Sequence, residues 1–251
     1  MNNLDTLIEN GLVVTENEIG HLNIGIKDGK IAYLGDENLN AEFKINASDL
    51  IVLPGGIDPH VHVDQPSGDD VIMADNFQSA TKSAAAGGNT TILPFAMQIK
   101  GQSLRKCVED YHKKAQGNMY IDTSFHLIIS DPTPQVLGQE LPALSKDGYT
   151  SFKVFMTYDD LVLNDKELIE VFDVAKQLKT LVMVHAEGYD SIKYLSDKFE
   201  KEGKTAPYYH APTRPQIVER EATHRAISHA QIVDIPLMIV HVSGEEALNQ
   251  I

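Results

Sequence analysis

Residues 53–66 read LPGGIDPHVHVDQP, with two histidines, His60 and His62, one residue apart at the end of an apolar run and among glycines and prolines. The run begins at Ile51 and is the first of six. The others cover 89–96, 121–130, 150–156, 181–187 and 236–243. Between them, 77–86, 104–115, 165–179 and 215–233 carry apolar residues at three- and four-residue spacing, the helical period. Strand-helix alternation predicts a parallel sheet buried on both faces. A doubly wound sheet and a closed (β/α)8 barrel share that alternation, so the polar residues must separate them. A nucleotide-binding doubly wound sheet opens with G-x-G-x-x-G at its first turn. Here Gly55-Gly56 precedes the histidines, and Gly87-Gly88 stands alone before a strand. Instead His60 and His62, Lys153, His185 and His241 sit at or near the C-terminal part of four runs. In a barrel those ends converge on one mouth.

The expected fold is therefore an α/β TIM-like (β/α)8 barrel with six strand-helix units visible. The last segment, GEEALNQI, stops at Ile251 without a cap, so the chain reads as the N-terminal part of a longer protein or one completed from elsewhere. Before the barrel, short alternating runs (DTLIENGLVVT, HLNIGIKDG, KIAYLGD) broken by Gly, Asn and Asp predict a small β layer. The expected organisation is a β domain over 1–52 and a barrel over 53–251.

Composition removes several function classes. The 251 residues are 42% hydrophobic and 23% charged, which is ordinary globular chemistry. A formal charge of −15, from 36 acidic against 21 basic side chains, repels phosphate backbones and anionic lipid, so neither nucleic acid nor membrane is an expected partner. The single cysteine, Cys107, cannot form an intrachain disulfide, and a metal must find its ligands among His, Asp and Glu. The N-terminus MNNLDTLIENG lacks a basic segment followed by an apolar core, and the expected location is the cytoplasm.

On a strand, residues i and i+2 share a face about 6.5–7 Å apart, so His60 and His62 can reach one cation beyond the strand end. Taken alone, such a pair serves equally well as loop-bonding histidines. Pro59 and Pro66 stiffen the backbone around it, which suits a rigid site. Lys153, in SFKVFM, lies in a run that should be buried, where a charged ammonium is costly unless paired. Most lone strand lysines reach water from an edge. A buried one loses its proton more easily, and a neutral amine beside a divalent cation can capture carbon dioxide as a carbamate able to bridge two metals. His185 follows TLVMV and His241 follows PLMIV. One such histidine is usually a satisfied core residue, but two at equivalent ends, with the pair and the lysine, are hard to attribute to packing. His21 and His112 read as surface, His126 as core or backing for a ligand, and His210, His224 and His229 as loop and helix residues.

In order along nearly the whole chain, PGGIDPHVHVDQP, SFKVFMTY, MVHAE, YYHAPTRPQIVEREATHRAI and LMIVHVS resemble the cyclic amidohydrolases of the dihydropyrimidinase and hydantoinase branch. The resemblance implies a (β/α)8 barrel with a β-sandwich built from both chain ends, and two divalent metal ions, usually Zn2+. It implies that His60 and His62 hold one metal, His185 and His241 the other, and a carboxylated Lys153 bridges them. Tyr158 matches the tyrosine that points its hydroxyl at the substrate carbonyl. The implied reaction is hydrolytic ring opening of dihydrouracil or dihydrothymine to an N-carbamoyl amino acid. A hydantoinase of other specificity and a non-catalytic assembly protein of the same fold are the alternatives. A homotetramer is implied in the same way. Dihydroorotases carry H-x-H-x-R, whereas this chain has Asp64 at the arginine position, which disfavours anionic orotate-type substrates. Two departures are visible. Gly188 stands where the branch has asparagine, and Gln65, Ser67 and Val162 replace common bulky apolar residues, which favours small substrates. The branch's metal-binding, proton-shuttling aspartate falls beyond residue 251, so a chain ending there is expected to turn over very slowly.

Overall fold

The computed structural model describes residues 4–67 and 71–251. The chain divides into two units, Met1–Gly56 and Ile57–Ile251.

The first unit is a five-stranded sheet. Strands β1 (Leu4–Val14), β2 (Ile19–Lys27) and β3 (Lys30–Gly35) form an antiparallel meander, while β4 (Ala41–Asn46) and β5 (Ile51–Val52) run parallel to β1, in the order β3-β2-β1-β4 with β5 also on β1. Register places Phe43, Thr6, Ile26 and Ile31 in one cross-strand row and Ile45, Ile8, Ile24 and Leu34 in the next. Phe43, Ile45, Ile31 and Leu34 of that face are exposed.

The second unit alternates strand and helix as the sequence predicts. Its strands are β6 (Gly56–Val61), β7 (Asn89–Met97), β8 (Asp122–Thr123), β9 (His126–Ile128), β10 (Ser151–Phe155), β11 (Leu181–His185) and β12 (Leu237–Ile239). The sheet order is β12-β11-β10-β9-β7-β6, with β8 on β7, and every ladder from β7 to β12 is parallel. The helices are α1 (Phe77–Ala86), α2 (Leu104–Ala115), α3 (Leu141–Lys146), α4 (Asp165–Leu178), α5 (Tyr189–Lys201), α6 (Gln216–Val233) and α7 (Glu245–Leu248). Among the described residues no helix is long and apolar enough to cross a membrane.

Local chemistry sets the ends. Asn76 and Asn164 close capping boxes at α1 and α4, and Lys179 and Asp234 end α4 and α6 in left-handed conformation. Glu140 caps α2 from outside: its buried carboxylate accepts from Leu104 N at 2.7 Å and Ser103 Oγ at 3.1 Å. Alternation along the strands then sorts side chains into two cores. Leu127, Phe152, Val154, Val182 and Val184 pack with Leu168, Phe172 and Ala226 of the helices. Phe95, Ile128, Phe155, Met183 and Val240 form a smaller cluster on the opposite face of the sheet. Cys107 is buried in the helix-facing core, and burial pushes its thiol up to about 12.

Three details differ from the sequence reading. The run 51–62 is not one strand, because Pro54 and Gly55 break it and Ile51–Val52 pairs with β1 of the first unit. The run 121–130 divides into β8 and β9. Helices α3 and α5 were not foreseen, and α5 buries only Ile192, so its apolar stripe is thin. Phe172→Ala is expected to cost about 3–5 kcal/mol by cavity formation, and Asn164→Ala about 1 kcal/mol by loss of the cap, both read from urea unfolding.

Candidate metal centre

His60 and His62 on and just after β6, Lys153 on β10 and His185 on β11 occupy the sheet face that carries the smaller apolar cluster. His241 reaches the same place differently. Strict alternation would turn it toward the helices, but β12 ends at Ile239 and the backbone at His241 is left-handed, φ 38°, so its ring joins the group instead. Its centroid lies 4.6 Å from that of His185 and 5.4 Å from that of His60. His60 and His241 come from the two end strands of the sheet, so the sheet curls strongly, as half of a barrel does.

Phe95 is the floor of the group. Its ring lies 4.8 Å from His60 and 4.9 Å from His62, and Lys153 Nζ is 5.6 Å from its centroid and 5.0 Å from that of Phe155. Lys153 is fully buried, and its Nζ has no hydrogen-bond partner among the described residues. Burial pulls its pKa down from 10.5 to about 7, leaving much of the amine neutral at physiological pH. Partial burial, followed by the neighbouring cationic groups, pulls His60 and His241 to about 4 and lowers His62. His60, His62 and His241, held neutral beside an unpartnered buried amine and joined by His185, make a donor set rich in lone pairs and short of charge. Lone pairs of that kind suit a cation rather than an anion.

The rings are held by neighbours. His185 Nε2 donates to Glu187 Oε2 at 2.7 Å, and Arg214 Nε stands 3.9 Å from the other oxygen of that carboxylate. His62 Nδ1 meets Gln65 Oε1 at 2.7 Å. His126, buried behind the group, spans from Pro59 O at 2.8 Å to Ser151 Oγ and ties β6 to β10. Among the described residues no three His, Cys, Asp or Glu side chains form a ready-made ligand group. Edge-to-face ring packing and these side-chain bonds account for that, and the lysine is outside those residue types.

Tyr158 sits in the loop after β10 with φ 72°, a strained conformation for an aromatic residue costing about 1–3 kcal/mol. Its ring lies 5.1 Å from that of His185. It lines a cavity of about 540 Å³ with Ser67, Met97, Ile192 and Arg214. A second cavity of about 320 Å³ is bounded by His185, Glu187, Arg214 and His241. Asp64 does not face this space as a free acid, because Lys114 Nζ binds its carboxylate at 3.0 Å and its carbonyl at 2.6 Å. Gly188 is the N-cap of α5, and a Cβ there would meet Glu221 Oε2 at 3.0 Å. Glu221 is itself held by Arg225 at 2.8 Å, so the space an asparagine would use is occupied. His21, His112, His210 and His224 are exposed and away from the group, while His229 pairs with Asp165 at 3.3 Å. Sequence reasoning missed the holding roles of Glu187 and Gln65. The only signal was an acceptor two or three residues after a candidate histidine.

A curled parallel sheet of six strands with its polar constellation at the C-terminal end is the half-barrel form of an α/β barrel. The amidohydrolase family model matches residues 51–220, and the chain belongs to that family. It is 46% identical over 249 residues to a D-hydantoinase of Ralstonia pickettii, covering 99% of this chain and 54% of the relative. It is 36% identical over 250 residues to a dihydropyrimidinase of Rattus norvegicus, covering 96% and 48%. A solved D-hydantoinase structure superposes with a TM-score of 0.95 at 46% identity, covering 98% of this chain and 54% of that one. The chain thus spans about half the length of the curated relatives it matches.

In the metal-free chain Lys153 binds its proton more weakly folded than unfolded. Below pH 7 both states are protonated and the folded state carries the whole penalty. From pH 7 to 10.5 the penalty fades and stability rises. Lys153→Met is expected to stabilise the metal-free chain near pH 6 by about 1–4 kcal/mol and to flatten that rise, measured by urea unfolding across pH.

Proposed function

We propose that this chain carries the metal-binding half of a cyclic amidase that opens a small ring, 5,6-dihydrouracil or dihydrothymine, to an N-carbamoyl-β-amino acid. The observation that carries the reading is the buried, unpartnered Lys153 amine encircled by His60, His62, His185 and His241. Those four histidines would hold two divalent ions, Zn2+ being the choice, and a carboxylated Lys153 would bridge them. When bound, the ions supply an acidified water and polarise the scissile carbonyl.

The rest falls to the chain itself. Tyr158, fixed by its loop, would direct its hydroxyl to the carbonyl oxygen and donate to the oxyanion as the ring amide is attacked. Glu187 keeps the His185 ring oriented. Phe95 and Phe155 keep the amine of Lys153 dry and so available for carboxylation. Asp64, engaged by Lys114, offers no grip for a substrate carboxylate, which favours neutral rings.

The 46% identity to a D-hydantoinase, against 36% to a dihydropyrimidinase, supports a second reading in which the ring is a hydantoin. Ser67, which lines the Tyr158 cavity, favours small substituents in either case, whereas Gln65 is engaged by His62 and the Phe95 carbonyl and does not line it. The exposed apolar face at Phe43, Ile45, Ile31 and Leu34 supports a further sheet completing a β-sandwich with 1–52, and the strand-helix units of 53–251 are read as part of a (β/α)8 barrel. A cytoplasmic homotetramer completes the reading by family likeness.

The test is hydrolysis of dihydrouracil and unsubstituted hydantoin by the protein expressed from its complete gene, before and after chelation and with zinc restored. Chelator-sensitive, zinc-restored ring opening is expected, and zinc-bound protein inert to both rings would overturn the substrate class. Tyr158→Phe is expected to lower kcat about 10²–10³-fold with little change in KM, by steady-state kinetics.

A further inference from the structure

We infer that Gln65 is a positioning residue that fixes the tautomer of His62, so that its Nε2 lone pair is the one offered to a metal. The inference rests on the metal-centre reading for its consequence but on three contacts for its geometry. Gln65 Nε2 lies 3.0 Å from the Phe95 carbonyl oxygen, which can only accept. The amide nitrogen must therefore be on that side, and Oε1 is the atom 2.7 Å from His62 Nδ1. An amide oxygen can only accept, so Nδ1 carries the hydrogen and Nε2 keeps its lone pair. The ring also stacks on Phe95 at 4.9 Å with planes 20° apart, which holds its plane, and a flip within that plane would forfeit the bond to Gln65. One residue, Phe95, thus fixes His62 twice, through its carbonyl by way of Gln65 and through its ring directly.

The same device appears on the other side of the site with opposite polarity. Glu187 accepts from His185 Nε2, so His185 keeps its lone pair on Nδ1. The two rings are thus wired to present different nitrogens. Gln65 is three residues beyond His62, and the turn between them passes through Asp64 at φ 53°, whose side chain Lys114 anchors. That turn makes the Gln65 side chain double back to the histidine instead of lining the pocket.

The experiment compares the chain with Gln65→Met, which keeps length but loses the acceptor, and Gln65→Glu, which keeps an oxygen acceptor. Ring-nitrogen NMR of histidine-labelled, metal-free protein reads the tautomer, and competition against a chromophoric chelator reads zinc affinity. The parent is expected to show His62 protonated on Nδ1. Gln65→Met should shift it toward the Nε2-protonated form and weaken zinc binding about 10–100-fold, and Gln65→Glu should restore the tautomer. Zinc binding by the parent with neither readout changed in Gln65→Met would overturn the role of Gln65 alone. A correctly folded parent that shows the tautomer but holds no zinc would overturn the metal-centre reading itself.

Discussion

Parallel pairing makes side chains alternate strictly between two faces, and the site exists because the chain uses those faces unequally. One face is given wholly to aliphatic and aromatic contacts with the helices, centred on Phe152, Val154, Val182 and Val184. The other holds fewer apolar residues and takes the polar ones, with His126 and Ser151 at strand starts, Lys153 in mid-strand and the remaining histidines at the C-terminal ends. Lys153 sits between Phe152 and Val154 in sequence and on the opposite side of the sheet from both. Its burial follows from that register, with Phe95 and Phe155 packed against the amine.

The chain tolerates that arrangement because the cost is local and the support is broad. Lys153 without a partner and Tyr158 in a left-handed conformation are each unfavourable by amounts comparable to a core cavity. They lie within one end of a sheet whose other face is densely packed, and His126 and Glu140 add polar staples between elements. Strain collected at the strand ends and stability collected in the helix layer is the division expected of a scaffold that must hold reactive groups still.

The fold class was legible because both of its signals are periodic: strand-like runs alternating with helix-spaced segments, and polar residues recurring at equivalent ends. His60, His62, Lys153, His185 and His241 could be singled out for the same reason, since each interrupts a run that packing alone would have kept apolar. The split of 51–62 between two sheets was hidden, because Ile51 and Val52 are equally good strand residues for either partner. Glu187 and Gln65 were hidden more deeply. Their roles depend on a side chain folding back on its own turn, which for Gln65 is set by the backbone at Asp64 and by the carbonyl of Phe95 thirty residues away. Gln65 was read as part of a pocket wall because nothing in its local sequence says which way it points.

Cys107 is the one thiol in 251 residues, and it is buried on α2 against the sheet with its ionisation pushed far above neutral. While α2 stays docked, an alkylating reagent meets neither an accessible sulfur nor a thiolate. Every labelling event must therefore pass through an excursion that lifts the helix, and the rate of that event is a built-in clock for opening of this layer. A single natural sulfur thus reports the kinetics of the scaffold without perturbing the chemistry at its other face.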